Sequence, residues 1–287
     1  MTYTLADFND IRNQGFEYVI PKESHEIIQR LAKTVGDVGY SPTPVFPKKD
    51  KPKPIVREPF KATKRPEIKG NDKRIQELTS MLNRMTHDNV STMTQQVIDK
   101  IHDIEEDNKE DMPRVYKVIF DMMMSNKFYI ESYVKLFITL RTEWNELEDK
   151  MMEEIQKHRE ALTNLEVCDT TDYDRFCKLK TQHDQERTMT MFIVYMVLNK
   201  EMDVSVLSEL YHDVDQHIQQ GMIKENNKGK LEEWVEHIYI ILTLGKSIFT
   251  VPRENIQAVA KLTGKDYVGL SSKTIFRYRD ILDSIFV

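Results

Sequence analysis

Residues 80–98 read SMLNRMTHDNVSTMTQQVI. Two runs at helical spacing meet here at a polar stop, Thr86-His87-Asp88-Asn89. On the near side Ile75, Leu78, Met81, Leu82 and Met85 keep the i, i+3, i+7 rhythm of one buried face, and beyond it Val90, Met93, Val97, Ile101 and Ile104 do the same. The spacing predicts two helices joined by a short turn. Thr86 is the expected N-cap of the second helix, and Asp88 places negative charge at the positive end of its dipole.

The same grammar continues downstream. Pro113 opens a helix carrying Val115, Val118, Ile119, Met122 and Met123, and a nearly all-apolar helix, NKFYIESYVKLFITL, follows it. MTMFIVYMVL is a second such run, approached by a helical stretch, and VSVLSELYHDVDQHI, LEEWVEHIYIILTL, ENIQAVAKL and SKTIFRYRDILDSIF complete the series. Nine glycines, fifteen methionines and 31% charged residues suit long helices and argue against a strand-rich or Rossmann-like fold. The expectation is an all-α chain of about ten helices paired by short turns. Helices apolar all round belong in the middle of a stack and amphipathic ones outside it. The economical architecture is a HEAT-type α-solenoid of roughly five antiparallel pairs at ~40 residues each. A helical bundle is the competing fold.

Before this body the chain changes character. Seven of the ten prolines fall between Pro42 and Pro66, which forbids a helix there and predicts an extended, largely disordered linker. Between Lys48 and Arg74 eleven Lys and Arg face four Asp and Glu, a local balance of +7 in a chain of net charge −6, which leaves −13 for the rest. The predicted organisation is a short partner-binding segment at 1–40, a basic proline-rich linker at 41–71 and a helical domain at 72–287. Lys48, Lys49, Lys51, Lys53, Lys61, Lys64 and Arg65, interleaved with Phe46, Ile55 and Phe60, can follow a nucleic-acid backbone and stack an occasional base. The plainer reading is a solvated spacer. No basic region followed by an apolar run opens the chain, and no stretch approaches the roughly 20 apolar residues that span a bilayer. Cys168 and Cys177 are too few for a disulfide framework. Together these predict a cytoplasmic protein with reduced thiols and no membrane partner.

Catalytic signals are weak. Gly245-Lys246-Ser247 resembles the end of a phosphate-binding loop, but position 240 is Ile inside an apolar helix, so a helix end with Gly245 as cap is expected. None of the eight histidines sits in a paired-ligand spacing, and His212 and His217 are expected on solvated helix faces. Glu105-Glu106-Asp107 is expected as a solvated loop, and Met122-Met123-Met124 as core filling. No catalytic constellation, metal site or cofactor is predicted, and the chain is expected not to be an enzyme.

Several landmarks resemble one family in chain order. Ser80-Met81-Leu82-Asn83-Arg84-Met85-Thr86-His87-Asp88-Asn89 is similar to the Leu-Asn-Lys-Leu-Thr-Pro segment that opens the middle domain of eukaryotic translation initiation factor 4 gamma. Val115-Tyr116-Lys117-Val118-Ile119-Phe120-Asp121, with Phe128 and Tyr133 behind it, resembles that domain's second repeat. Glu186-Arg187-Thr188 leading into Met191-Phe192-Ile193, Leu242-Thr243-Leu244-Gly245-Lys246, and Ser271-Ser272-Lys273 with Phe276 and Asp280-Ile281-Leu282-Asp283 resemble its later signatures. The resemblance spans about 75–285.

It implies a five-repeat HEAT domain that binds a DEAD-box RNA helicase of initiation factor 4A type and RNA, and does no chemistry itself. It also implies a helix upstream that docks on a cap-binding protein of initiation factor 4E type. The family's Tyr-x-x-x-x-Leu-aliphatic motif appears in degraded form at Tyr3 and Phe8, with Asn9 in the aliphatic place; a shifted register through Leu5, Phe8 and Ile11 serves as well. Packing of this segment on the solenoid is the alternative. Phe60-Lys61, in a spacing like the family's Trp-Lys, is the expected anchor for one helicase lobe, and Lys273, Arg277 and Arg279 are assigned to the other by position alone. The expected function is a compact translation-initiation scaffold, without the longer scaffolds' extensions, holding helicase, single-stranded mRNA and a cap-binding protein. Its length suits a minimal cellular form or a virus-encoded one equally. The alternatives are a regulator sequestering helicase or poly(A)-binding protein, or an mRNA-decay or nuclear cap-complex scaffold.

Overall fold

The computed structural model describes residue 4, residues 9, 10 and 13, and residues 20–35, 69–168 and 171–286. Every regular element among them is helical: eleven α-helices and two short 3-10 turns. The chain divides into two units at Arg65/Pro66. The first contributes α1 (Lys22–Val35), an amphipathic helix whose Ile27, Ile28 and Leu31 are all exposed. The linker expected at 41–71 lies outside the described residues as far as position 68.

The second unit runs through α2 (Asn71–Asn83), α3 (Val90–Asp107), α4 (Met112–Ser125), α5 (Ile130–Glu143) and α6 (Glu146–Thr163). It continues through α7 (Tyr173–Leu198), α8 (Val204–Met222), α9 (Lys228–Leu244), α10 (Arg253–Ala260) and α11 (Ser272–Ile285). Substantial packing joins only helices close in sequence. The odd-numbered members form an unbroken row in which α3 touches α5, α5 touches α7, α7 touches α9 and α9 touches α11. Against that row lie α2 on α3, α4 on α5 and α7, α6 on α5 and α7, α8 on α9, and α10 on α11.

The joint between α2 and α3 is made by a residue other than the predicted one. The Asn89 carboxamide accepts from the Thr86 backbone N–H at 2.7 Å and donates to the Arg84 carbonyl at 2.9 Å, and α3 starts at Val90. Closing this turn takes a side chain that both donates and accepts across it, which the carboxamide does, so Thr86 is the residue held, not the cap. Tyr133 of α5 completes the joint by donating its hydroxyl at 2.7 Å to the Leu82 carbonyl, which also accepts from the Met85 N–H at 2.9 Å. Burial pushes that phenol up to about 12. At the start of α2, Asn71 ties in the far end of α3, donating to the Ile104 carbonyl at 3.2 Å and to Asp111 at 3.0 Å.

Glu105-Glu106-Asp107 forms the last turn of α3 and is no loop. Glu105 accepts from the Trp144 indole at 2.9 Å, a bond that holds its carboxyl below the usual range. Met123 is fully buried with Met122 and Met124 packed beside it, so that run does fill core. The centre of the unit is an edge-to-face trio of rings. Phe120 of α4, Phe137 of α5 and Phe192 of α7 lie with centroids 5.3, 5.4 and 6.3 Å apart.

The end of α7 is a Schellman turn built without glycine. Lys200 donates to the Val197 carbonyl and Glu201 to that of Met196, each at 2.9 Å, with Lys200 at φ 63. The turn delivers the Glu201 carboxylate to Arg141 of α5. A side chain in the left-handed region is strained, so Lys200→Gly is expected to stabilise the protein by about 0.5–1 kcal/mol in urea unfolding. Phe192→Ala is expected to cost about 3–5 kcal/mol by emptying the centre of the ring trio. Phe128→Ala, at a ring 80% exposed, should stay within about 0.5 kcal/mol in the same measurement.

Candidate functional site

Ser271 caps α11, its hydroxyl accepting from the Thr274 N–H at 3.2 Å, and so fixes the register in which Lys273 and Arg277 emerge one turn apart. Both face α9, on the side that carries Glu232 and Glu236. Lys273 donates to Glu232 at 3.1 Å. Arg277 grips Glu236 with two bonds from one terminal nitrogen at 2.6 and 2.7 Å and one from Nε at 2.9 Å. Its guanidinium also lies 4.5 Å from the Tyr239 ring centroid, a cation–π contact. Glu233 turns the other way, to Arg187 of α7, with His183 Nδ1 at 3.6 Å. These pairs flank a groove of about 450 Å³ across α7, α9 and α11, with Val167, Cys168 and Phe176 on its apolar side.

Arg279 leaves that face. Its Nε donates to the Ala260 carbonyl at the end of α10, at 3.1 Å, and its guanidinium covers the exposed Phe276 ring at 5.3 Å. Lys273 and Arg277 are therefore brought together and Arg279 stands apart. Tyr3, Leu5, Phe8, Ile11, Lys48, Lys49, Lys51, Lys53, Phe60, Lys61, Lys64 and Arg65 lie outside the described residues.

Behind the groove runs a buried polar chain that no local sequence spacing announces. Glu186 of α7 holds His158 Nδ1 of α6; His158 Nε2 is 3.0 Å from the Thr190 hydroxyl of α7; and that hydroxyl is 2.7 Å from His237 Nδ1 of α9. His158, Thr190 and His237 are all buried. One consistent assignment has Glu186 accepting from His158 Nδ1–H, Thr190 donating to His158 Nε2, and His237 Nδ1–H donating to Thr190. Burial first, then the electrostatic influence of neighbouring His158, Arg187 and His183, holds His237 well below the usual imidazole range. Glu186, His158 and Thr190 have the order of an orienter, a base and a nucleophile. Thr190 is nevertheless fully buried between helices, so no substrate atom can approach its oxygen. What the chain does here is satisfy polar groups that pin α6, α7 and α9 together.

Other expectations are resolved individually. Gly245 caps α9, its N–H donating to the Ile241 carbonyl at 3.0 Å. His212 is exposed, but His217 is not a solvated side chain. It stacks on Trp234 with planes 17° apart and centroids at 5.3 Å, and burial lowers its pKa. The helical repeat hides this, because the covering ring comes from another helix. Cys168 and Cys177 are free thiols. Among the described residues no group of three His, Cys, Asp or Glu side chains is placed to hold a metal, and no helix is long and apolar enough to cross a membrane.

The Arg277–Glu236 fork should show a coupling of about 1 kcal/mol in a double-mutant cycle read by urea unfolding, since both groups are only partly exposed. Arg277→Lys should lose most of it, because an ammonium cannot reproduce the fork or lie flat on Tyr239. Comparison with known proteins brings up no matching family model, no matching curated protein and no matching solved structure.

Proposed function

We propose that the chain is a non-catalytic scaffold of translation initiation. Its helical unit would dock a DEAD-box RNA helicase of initiation factor 4A type, its basic strip single-stranded mRNA, and its N-terminal segment a cap-binding protein of initiation factor 4E type. The observation that carries this reading is the ordered row α3–α5–α7–α9–α11, in which each helix packs on the next. That order supports a HEAT-type solenoid, and a solenoid's use is to present a long surface, not a closed pocket. At the end of the row the surface becomes a groove edged by charged pairs that a partner can re-pair.

The family landmarks fall at structurally meaningful places. Leu82 and Asn89 form the first joint, Phe192 sits at the centre, Gly245 ends α9, and Ser271 caps α11. The basic strip adds a sequence-independent attraction for RNA, at a density of charge the body lacks.

The full chain is expected to co-purify with such a helicase and to stimulate its RNA-dependent ATPase. Arg277→Glu should weaken both effects. The swap Glu236→Arg with Arg277→Glu keeps an ion pair inside the protein while inverting what a partner meets. Weakened stimulation by the folded swap supports docking at this face, and full stimulation refutes it. Absence of binding and of any change in ATPase by the wild-type chain overturns the scaffold reading. Charge reversal at Lys61, Lys64 and Arg65 is expected to flatten the salt dependence of RNA binding, by about 0.7 in log–log slope per lost phosphate contact. An unchanged slope would leave the strip a spacer.

A further inference from the structure

Two imidazoles and one hydroxyl make an uncommon hinge pin. The His158 and His237 ring centroids are 5.7 Å apart, with Thr190 between them as the atom both rings share. Three helices that are separate in the chain meet at that oxygen, and none of the three side chains reaches water. The outer end differs: Glu186 is partly exposed and lines the clefts beside Lys157, Gln182 and His183. One end of the chain thus meets solvent, and the other is sealed.

Hydroxyl arithmetic limits what the pin can hold. Thr190 has one proton, directed at His158 Nε2 while His158 is neutral. A proton on His158 alone is accommodated when neutral His237 carries its own proton on Nε2 and accepts from Thr190 at Nδ1. Protons on both rings put N–H groups of both toward Thr190, and the displaced hydroxyl proton is left the Glu186 carbonyl at 3.4 Å. A proton added to His237 goes to its other nitrogen, and among the described residues no carboxylate is hydrogen-bonded to that ring, whose bond is to Thr190. The surrounding charges are already committed. On α7, Arg187 is held by Glu233 and Asp184, with His183 also near Glu233. On α9, Glu236 is taken by Arg277 of α11. On α6, Lys157 is held by Glu153 and Glu154. On α4, Asp121 faces the cleft beside Glu186, and on α8 His217 is stacked on Trp234.

We propose that the His158–Thr190–His237 bridge is an acid-released latch: protonation of the two rings is compatible only with separation of α6 from α7 and α9. The sign follows from linkage. In the closed unit His237 stays neutral below its ordinary value, whereas in an opened one it titrates near about 6.5. The open state then binds more protons than the closed state as pH falls below about 6.5, so acid favours opening and the closed form is fully favoured above that value.

The test uses the full chain. Hydrogen exchange of α6 amides is followed from pH 8 to pH 5 and corrected for intrinsic exchange, and ring protonation is read by NMR of histidine-labelled protein. The expected result is an opening equilibrium in Glu146–Thr163 that rises below pH 6.5, by up to about tenfold per pH unit for each proton taken up. His237 in the closed form should remain neutral at pH values below its ordinary range. His237→Asn keeps a hydrogen-bonding group where Nδ1 lies but cannot take the proton, and its opening should depend less steeply on pH. Thr190→Ser retains the bridge and the wild-type slope. Opening of α6 that is independent of pH overturns the proposal, as does a slope unchanged in His237→Asn. Should that variant not fold, the wild-type ring decides: titration of His237 in the closed form near 6.5 also overturns it.

Discussion

Between Thr188 and Val197, α7 offers almost no side to water, and the rest of the unit is arranged to meet that demand. Neighbouring helices must cover it from several directions, and α4, α5, α6, α8 and α9 do so. Phe192 accounts for the apolar part by meeting Phe120 and Phe137 edge-on. Thr190 accounts for the polar part, because a hydroxyl buried at this depth needs partners, and α6 and α9 each bring an imidazole to it. Removing either solution would leave α7 with apolar surface or a polar atom that water cannot reach.

How far this was readable depends on the range of the interaction. Helix existence and most core positions follow from i, i+3, i+4 periodicity, and Pro113, Gly245 and Ser271 mark ends where local chemistry is enough. The Asn89 staple was missed because Thr86 also has the chemistry of a cap; what separates them is which side chain can both donate and accept across the turn. Glu105, His217 and the His158–His237 pair were illegible for another reason. Their partners lie 39, 17 and 79 positions away, and no period in the chain encodes meetings at that range. Lys273 and Arg277 could be named from sequence, but Glu232 and Glu236, which decide what those cations can do, could not.

That last pair of contacts shapes the functional reading. Cations already paired on the same surface are not a bare attractive patch. On the proposed reading they edge a groove whose charges would be traded for those of an incoming partner, which would favour selectivity over raw affinity. The two helices that carry most of the groove, α7 and α9, are tied to each other through Thr190 and His237. The proposed protonation and the proposed docking would thus act on the same helices.

Crosslinking mass spectrometry on the full chain mixed with a DEAD-box helicase of initiation factor 4A type probes the central claim most directly. Lys180 and Lys273, which border the groove on α7 and α11, are the reporters. The scaffold account predicts crosslinks from both to the helicase, lost when Arg277 is replaced by Glu. Helicase crosslinks absent from both lysines under conditions that crosslink the two proteins elsewhere, or unchanged by Arg277→Glu, would contradict it.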